Sequence, residues 1–157
     1  MYQNQPPFPG QQPPPPFQGP QSQYADWVTR VLGYLIDIAP IIAVEIVFFI
    51  FEAIIGSAIL SLLLNLILAV GAIGYSVWNR WILGGQGQTI GKRQMKIMLV
   101  SEQTGQPIGT LNAFLRDLCH IADSIICYIG WLFPLWDAKR QTLADKIMTT
   151  VVVPTGQ

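Results

Sequence analysis

Charge is scarce in this chain. Asp, Glu, Lys and Arg together make up 11% of its 157 residues, against about 25% in an ordinary soluble domain. No basic face sits on a soluble fold, so nucleic-acid binding is excluded as a reading. Histidine is nearly missing. One residue, His120, limits most acid–base relays, and no nucleophile–base pair or metal-ligand cluster stands out. The expectation is therefore a chain that is not an enzyme and needs neither cofactor nor metal. The two cysteines, Cys119 and Cys127, lie in an apolar segment at a spacing that fits no metal or redox motif. They read as small buried hydrophobes. Residues 1–25 carry no charge at all. They also lack the basic start and apolar centre of a secretory leader. Instead, residues 1–23 hold eight of the twelve prolines and seven glutamines. Such a tract cannot bury a core and is expected to stay disordered with polyproline II character. Its first reading is a solvated tail, and its second a docking segment for an aromatic-grooved cytoplasmic partner.

What the chain does have is apolar length. Residues 31–83 are almost continuously apolar, and mean hydropathy is +0.40. Two windows, 31–55 and 58–83, flank Gly56-Ser57. A bilayer span needs about 20 such residues, so both qualify as transmembrane helices. Asp37 and Glu45 lie inside the first window. An ionised carboxylate at membrane depth costs about 3 kcal/mol or more, so it asks for a reason. Pro40 follows Asp37 by three residues and should kink the helix near it. In the second window Asn65 reads as an interhelical hydrogen bond, and Gly71 and Gly74 as places where helices approach closely.

Residues 84–110 are polar and glycine-rich and leave the membrane. They invite a phosphate-loop reading, which fails. A Walker pattern requires glycine where Gln86 stands and Ser or Thr where Arg93 stands. A dinucleotide fingerprint would need glycine at Ile90. Residues 111–136 are apolar again but contain Arg116, Asp117, His120 and Asp123, with Gly130 and Pro134 interrupting them. A straight span and a re-entrant pair of short helices turning near 128–130 both fit. Basic residues decide the preference. Arg30, Arg80, Lys92, Arg93 and Lys96 lie on one side of the first hairpin, and Gly56-Ser57 carries none. The positive-inside rule then places the N-terminus and the 84–110 loop in the cytoplasm. Lys139, Arg140 and Lys146 want the same side, which favours re-entry. The runs 94–101 and 147–153 could then pair as a small cytoplasmic β-element.

Arg30 and Asp37 are seven residues apart, as are Arg116 and Asp123. At this spacing each pair falls within about 20° on one helical face, separated by about 10 Å of rise. Two such stripes could face each other in the bundle, with His120 close to the second. In the functional reading Asp37, Glu45, His120 and Asp123 line a path for protons or cations. In the structural reading the arginines and aspartates fix helix register. Glu45 is the weakest member, because it lies about 80° from Asp37 around the helix.

The segments Arg30-Val-Leu-Gly-Tyr-Leu-Ile-Asp37, Gly87-Gln-Thr-Ile-Gly-Lys-Arg93, Leu115-Arg116, Lys139-Arg-Gln-Thr-Leu-Ala-Asp145-Lys-Ile and Thr150-Val-Val-Val153 occur in that order. Together they resemble the RDD family of small, mainly prokaryotic membrane proteins, named for one arginine and two aspartates. The resemblance covers residues 24–153. It matches Arg30 to the family arginine, and Asp37 and Asp145 to its aspartates. The family often has histidine before the second aspartate, where this chain has Ala144. The resemblance implies a suspected transport role, including cation/proton exchange in some members.

The expected architecture is an all-α membrane protein of the cell (inner or plasma) membrane. Two transmembrane helices, a third membrane-embedded and re-entrant segment and a small β-element make up residues 24–153. The expected function is a transporter or transport-associated subunit for protons, cations or an unidentified small ligand. Three segments offer little wall, so self-association into a homo-oligomer is expected. The candidate pathway residues are Arg30, Asp37, Arg116, His120, Asp123 and Asp145. The alternative is a non-transporting membrane scaffold that recruits cytoplasmic partners through its tail and basic loop.

Overall fold

The computed structural model describes residues 23–125 and 128–155. The expectations for the proline-rich tail and for Cys127 fall outside the described residues. Helix α1 runs Trp27–Ile55, four residues earlier than the apolar window suggested. Asp26 is the cause. Its carboxylate accepts from the Thr29 backbone N–H at 3.2 Å and from the Thr29 hydroxyl, satisfying a helix-start donor that otherwise has no partner. Pro40 lies inside the helix, which continues past it. Gly56 ends it in the left-handed conformation, φ 64°, and donates to Glu52 O.

Helix α2, Ala58–Ser76, continues without a break into a π-helical stretch, Val77–Leu83. The two apolar rods are 29 and 26 residues long, and their most apolar windows bury nothing against the rest of the chain. Phe49, Ile54 and Ile59 are all more than 70% exposed. Apolar patches of that extent are rare on monomeric soluble proteins and mark a surface meant for lipid or protein. Asn65 does bridge the helices, with Nδ2 donating to Glu52 Oε1 at 2.6 Å. The glycine expectation is corrected. A Cβ on Gly71 or Gly74 would meet nothing within 4 Å, so no described element packs there. Glu45 is exposed on the outer face of α1.

The other end of the hairpin carries the small elements. Thr89 caps α3, Ile90–Gln94, by accepting from Lys92 N–H. Strand β1, Ile97–Ser101, pairs antiparallel with β2, Thr150–Pro154, with Leu99 opposite Val152. The expected pairing is present, with both strands starting three residues later than the apolar runs. A two-stranded ribbon alone is marginal. Here each face is packed: Ile97, Leu99 and Val152 cluster with Ala25, and Val100 and Val151 with Tyr24. Ala25 N–H donates to Val152 O at 2.8 Å, tying the start of α1 to the ribbon.

Helix α4, Thr110–Ile125, is followed by α5, Ile129–Leu132, and a 3₁₀ turn, Phe133–Leu135. The α4 helix and the Ile129–Leu135 unit meet at 108°. Tyr128 sits at φ 61°. Gly130 lies against Asp123, where an added Cβ would come within 2.3 Å of Oδ1. The 108° bend means that segment 111–136 is not one straight helix. Its start and the chain beyond it come back to one end. Helix α6, Leu143–Ile147, closes the fold before β2. The sequence patterns had marked neither α3 nor α6. Each has five residues, too short to show a period. Cys119 is half-buried rather than buried.

Candidate functional site: a polar lock beside a cavity

Asp37 is buried on α1, and its carboxylate is fully engaged. Oδ1 accepts from Asn79 Nδ2 at 2.8 Å and from Gly91 N–H at 2.7 Å, and Oδ2 accepts from the Thr89 hydroxyl at 2.6 Å. The Tyr75 hydroxyl donates to the Asp37 carbonyl at 3.0 Å. Asn79 lies in the π-helical stretch, fully buried, and accepts from Ile90 N–H at 2.9 Å. One acid on the first span thus holds the second span and the α3 loop together. Hydrogen bonds to a charged acceptor contribute about 1.5–3 kcal/mol each. Backbone contact reinforces them. A Cβ on Gly91 would lie 1.8 Å from Gly33 O, so only glycine fits there.

Asp145 is the second centre and has no exposed surface. Arg30 Nη1 reaches Oδ2 at 2.9 Å, and Arg116 Nη2 and Nε reach Oδ1 at 2.7 and 2.8 Å. The Thr150 hydroxyl donates to Oδ1 at 3.0 Å and Thr142 N–H to Oδ2 at 3.2 Å. Thr142 and Asp145 form a reciprocal capping box at the start of α6. Burial opposes ionisation of Asp145, but the Arg116 and Arg30 guanidiniums overcome it and hold its carboxyl far below the usual range.

This arrangement corrects the two-stripe picture. Arg30 and Arg116 do not serve Asp37 and Asp123. Both converge on Asp145, a residue more than one hundred positions from Arg30. Asp123 instead accepts from Leu143 N–H at 2.9 Å and lies 2.5 Å from His120 Nδ1. The His120 ring stacks on Trp131, with centroids 4.4 Å apart. Asp117 takes a two-point bond from Arg80, at 2.9 and 3.1 Å, and one from Trp81 Nε1 at 3.0 Å. Glu45 belongs to none of these groups. Among the described residues, no group of three or more His, Cys, Asp or Glu is placed to hold a metal ion.

A cavity of about 440 Å³ lies between α1, the π-helical stretch and α4. Arg30, Asp37, Arg80, Lys92, Arg116 and His120 line its polar part, and Trp27, Ile38, Ile41 and Trp131 line its apolar part. Lys92 is partly exposed. Burial, with Arg116 close by, still lowers its ammonium to about 8. Asn79, Thr89, Gly91 and Lys92 were not among the candidate residues. Three of them stand in the Gly87–Arg93 motif, which was noted as a pattern without a role. Asn79 carried no signal beyond being a polar residue near the end of an apolar run.

The sequence model of the RDD family matches residues 24–149. This chain belongs to the RDD family. The chain is similar to the "Proline-rich antigen homolog" of Mycobacterium tuberculosis, with 44% identity over 86% of this chain and 65% of that protein. Similarity to the "Proline-rich antigen" of Mycobacterium leprae is 39% over 86% and 63%. The chain therefore spans slightly under two thirds of the length of these relatives. No solved structure matches it. In this RDD protein the matched arginine and aspartates are not one cluster. Arg30 and Asp145 meet in an ion pair, whereas Asp37 holds the α3 loop. Ala144 precedes Asp145, and the His–Asp contact among the described residues is His120–Asp123 on α4.

Proposed function

We propose that this RDD protein is a multi-pass protein of the cell (inner or plasma) membrane with both ends cytoplasmic. In this reading it is a transport-associated subunit, not an enzyme, and its cavity is the vestibule for a small ligand. The cavity carries the reading. It sits at the basic end of the two apolar helices and combines charged and apolar walls. The β1–β2 pairing supports a common side for the 84–110 loop and the C-terminal region. The unburied flanks of α1 and α2 and the outward-facing Glu45 support self-association, because a second copy would shield that carboxylate from lipid. The geometry favours a ligand vestibule over a proton relay through Asp37, whose oxygens already have three donors.

The test is uptake of a panel of small solutes into proteoliposomes holding the full chain, with cysteine-accessibility labelling at both ends. The expected result is uptake of at least one solute, lost in Ser76→Trp, whose indole fills the cavity. Labelling of both ends should occur only after permeabilisation. No uptake across the panel would overturn the transport reading, and labelling of either end from outside would overturn the topology.

A further inference from the structure

The cavity wall has an imbalance that the polar lock does not account for. Its acceptors are filled and some of its donors are not. Asp37 accepts three hydrogen bonds and Asp117 three. Asp145 and Asp123, which lie behind the wall, are filled as well. On the donor side, Arg80 is taken by Asp117. Arg30 and Arg116, two guanidiniums, share the single carboxylate of Asp145. Arg30 uses Nε on Ala25 O and Nη1 on Asp145. Its Nη2 is buried and has no partner among the described residues. A buried donor without an acceptor costs about 1–3 kcal/mol, more when charged, so such groups usually mark a bound water, ion or ligand. The Lys92 ammonium lines the same cavity, and no ion pair to it is present among the described residues. Arg116 is close enough to repel both Lys92 and Arg30. The apolar part of the wall runs along α1 as far as Ile41. Trp27 to Ile41 is about 21 Å of helix, deep enough to take an acyl chain as well as a headgroup.

We propose that the cavity binds a phosphate group, held by the Lys92 ammonium beside the Arg30 and Arg116 side chains that line the same cavity. A phosphate oxyanion supplies several acceptors at once, which suits cations on separate elements, and both Arg and Lys bind it well. The group belongs either to a soluble phosphate compound or to the headgroup of an anionic phospholipid seated along Ile38 and Ile41. The proposal rests on the vestibule reading above and names its ligand class.

Lys92 is the residue to test, because its side chain has no ion pair among the described residues and its replacement should leave the lock intact. Titration calorimetry of the detergent-solubilised full chain with inorganic phosphate is one arm. The other is native mass spectrometry of the chain released from nanodiscs of equal phosphatidylglycerol and phosphatidylcholine. Lys92→Gln should weaken whichever binding is found about tenfold, the loss of one charged hydrogen bond. Lys92→Arg should keep it. In the absence of ligand, circular dichroism should be the same for all three proteins, and Lys92→Gln should unfold at no lower temperature than the parent. Phosphate binding without lipid enrichment assigns a soluble ligand, and phosphatidylglycerol enrichment without phosphate binding assigns the headgroup. Absence of both, or binding that Lys92→Gln leaves unchanged, overturns the proposal. Lys92-dependent binding in a chain that moves no solute would remove the transport reading and leave the phosphate site standing. Uptake that survives Lys92→Gln would do the reverse.

Discussion

The two ends of the helix hairpin follow opposite rules. Around Gly56-Ser57, α1 and α2 show their apolar side chains outward, and one exposed bond, Asn65 to Glu52, is the polar link between them. At the other end the interior is polar. Asp37, Asn79, Thr89, Asp123 and Asp145 are all buried, each with hydrogen-bond partners from distant parts of the chain. In lipid an apolar surface provides little drive for one helix to choose another, so packing and polar bonds must choose. The polar end therefore sets the fold, and the apolar end sets where it can reside.

The most severe way to break that contrast is Asp145→Asn. It leaves the Arg30 and Arg116 guanidiniums without a buried counter-charge, and breaking such a pair costs about 3–5 kcal/mol. The expected outcome is near-complete loss of folded protein, read as membrane abundance and monodispersity in detergent. The same group dictates acid behaviour. The folded-state Asp145 carboxyl lies below its ordinary value, so its contribution is present above the unfolded pKa and is lost as pH falls through the folded one.

Next in size is a glycine contrast. Gly91→Ala drives a methyl into the Gly33 carbonyl, 1.8 Å away, and backbone cannot yield cheaply. The helices must separate, at a cost of about 1–3 kcal/mol or more. At Gly33 the nearest atom to an added Cβ is 3.5 Å away, so Gly33→Ala should be neutral in thermal unfolding. Equal effects of the two changes would refute this packing.

Asp37→Asn sits slightly lower. The amide keeps one acceptor for Asn79 and Gly91, and the Thr89 hydroxyl can rotate to accept instead of donate. Loss of charge assistance should cost about 1.5–3 kcal/mol. The change should loosen the α3 loop first, seen as faster hydrogen exchange at Ile90 and Gly91.

At the apolar end, Asn65→Ala should cost no more than about 1 kcal/mol, because its bond to Glu52 is solvent-facing. A large loss there would erase the distinction between the ends. The last effect is alkaline. The Lys92 ammonium is near 8 in the folded chain, through burial and then Arg116 and Arg80, against the pull of Asp37 and Asp117. Between about pH 8 and 10.5 the unfolded chain holds more protons at this site. Stability should therefore rise with pH across that window, and Lys92→Gln should flatten the rise.

Composition and periodicity by themselves determined the two apolar helices, the hairpin turn at Gly56, the break near Tyr128 and the β-ribbon. Each follows from local quantities: apolar run length, a φ only glycine adopts readily, a break in an apolar segment, a β-branched run. They also singled out Arg30, Asp37, Arg116, His120 and Asp123, because charge in or beside an apolar segment is visible without a fold, whereas Asp145 came from the family resemblance alone. Partnership was not visible. Spacing along a helix says which residues share a face and nothing about what meets that face. Only the tertiary structure decided that two arginines share Asp145, and that Asp37 binds a loop rather than an arginine. It also decided that Gly33 and Gly91 touch, and that Lys92 lines a cavity with no ion pair among the described residues. Those contacts join residues far apart in the chain, 54 positions for Asp37 and Gly91 and 115 for Arg30 and Asp145, which no local pattern records.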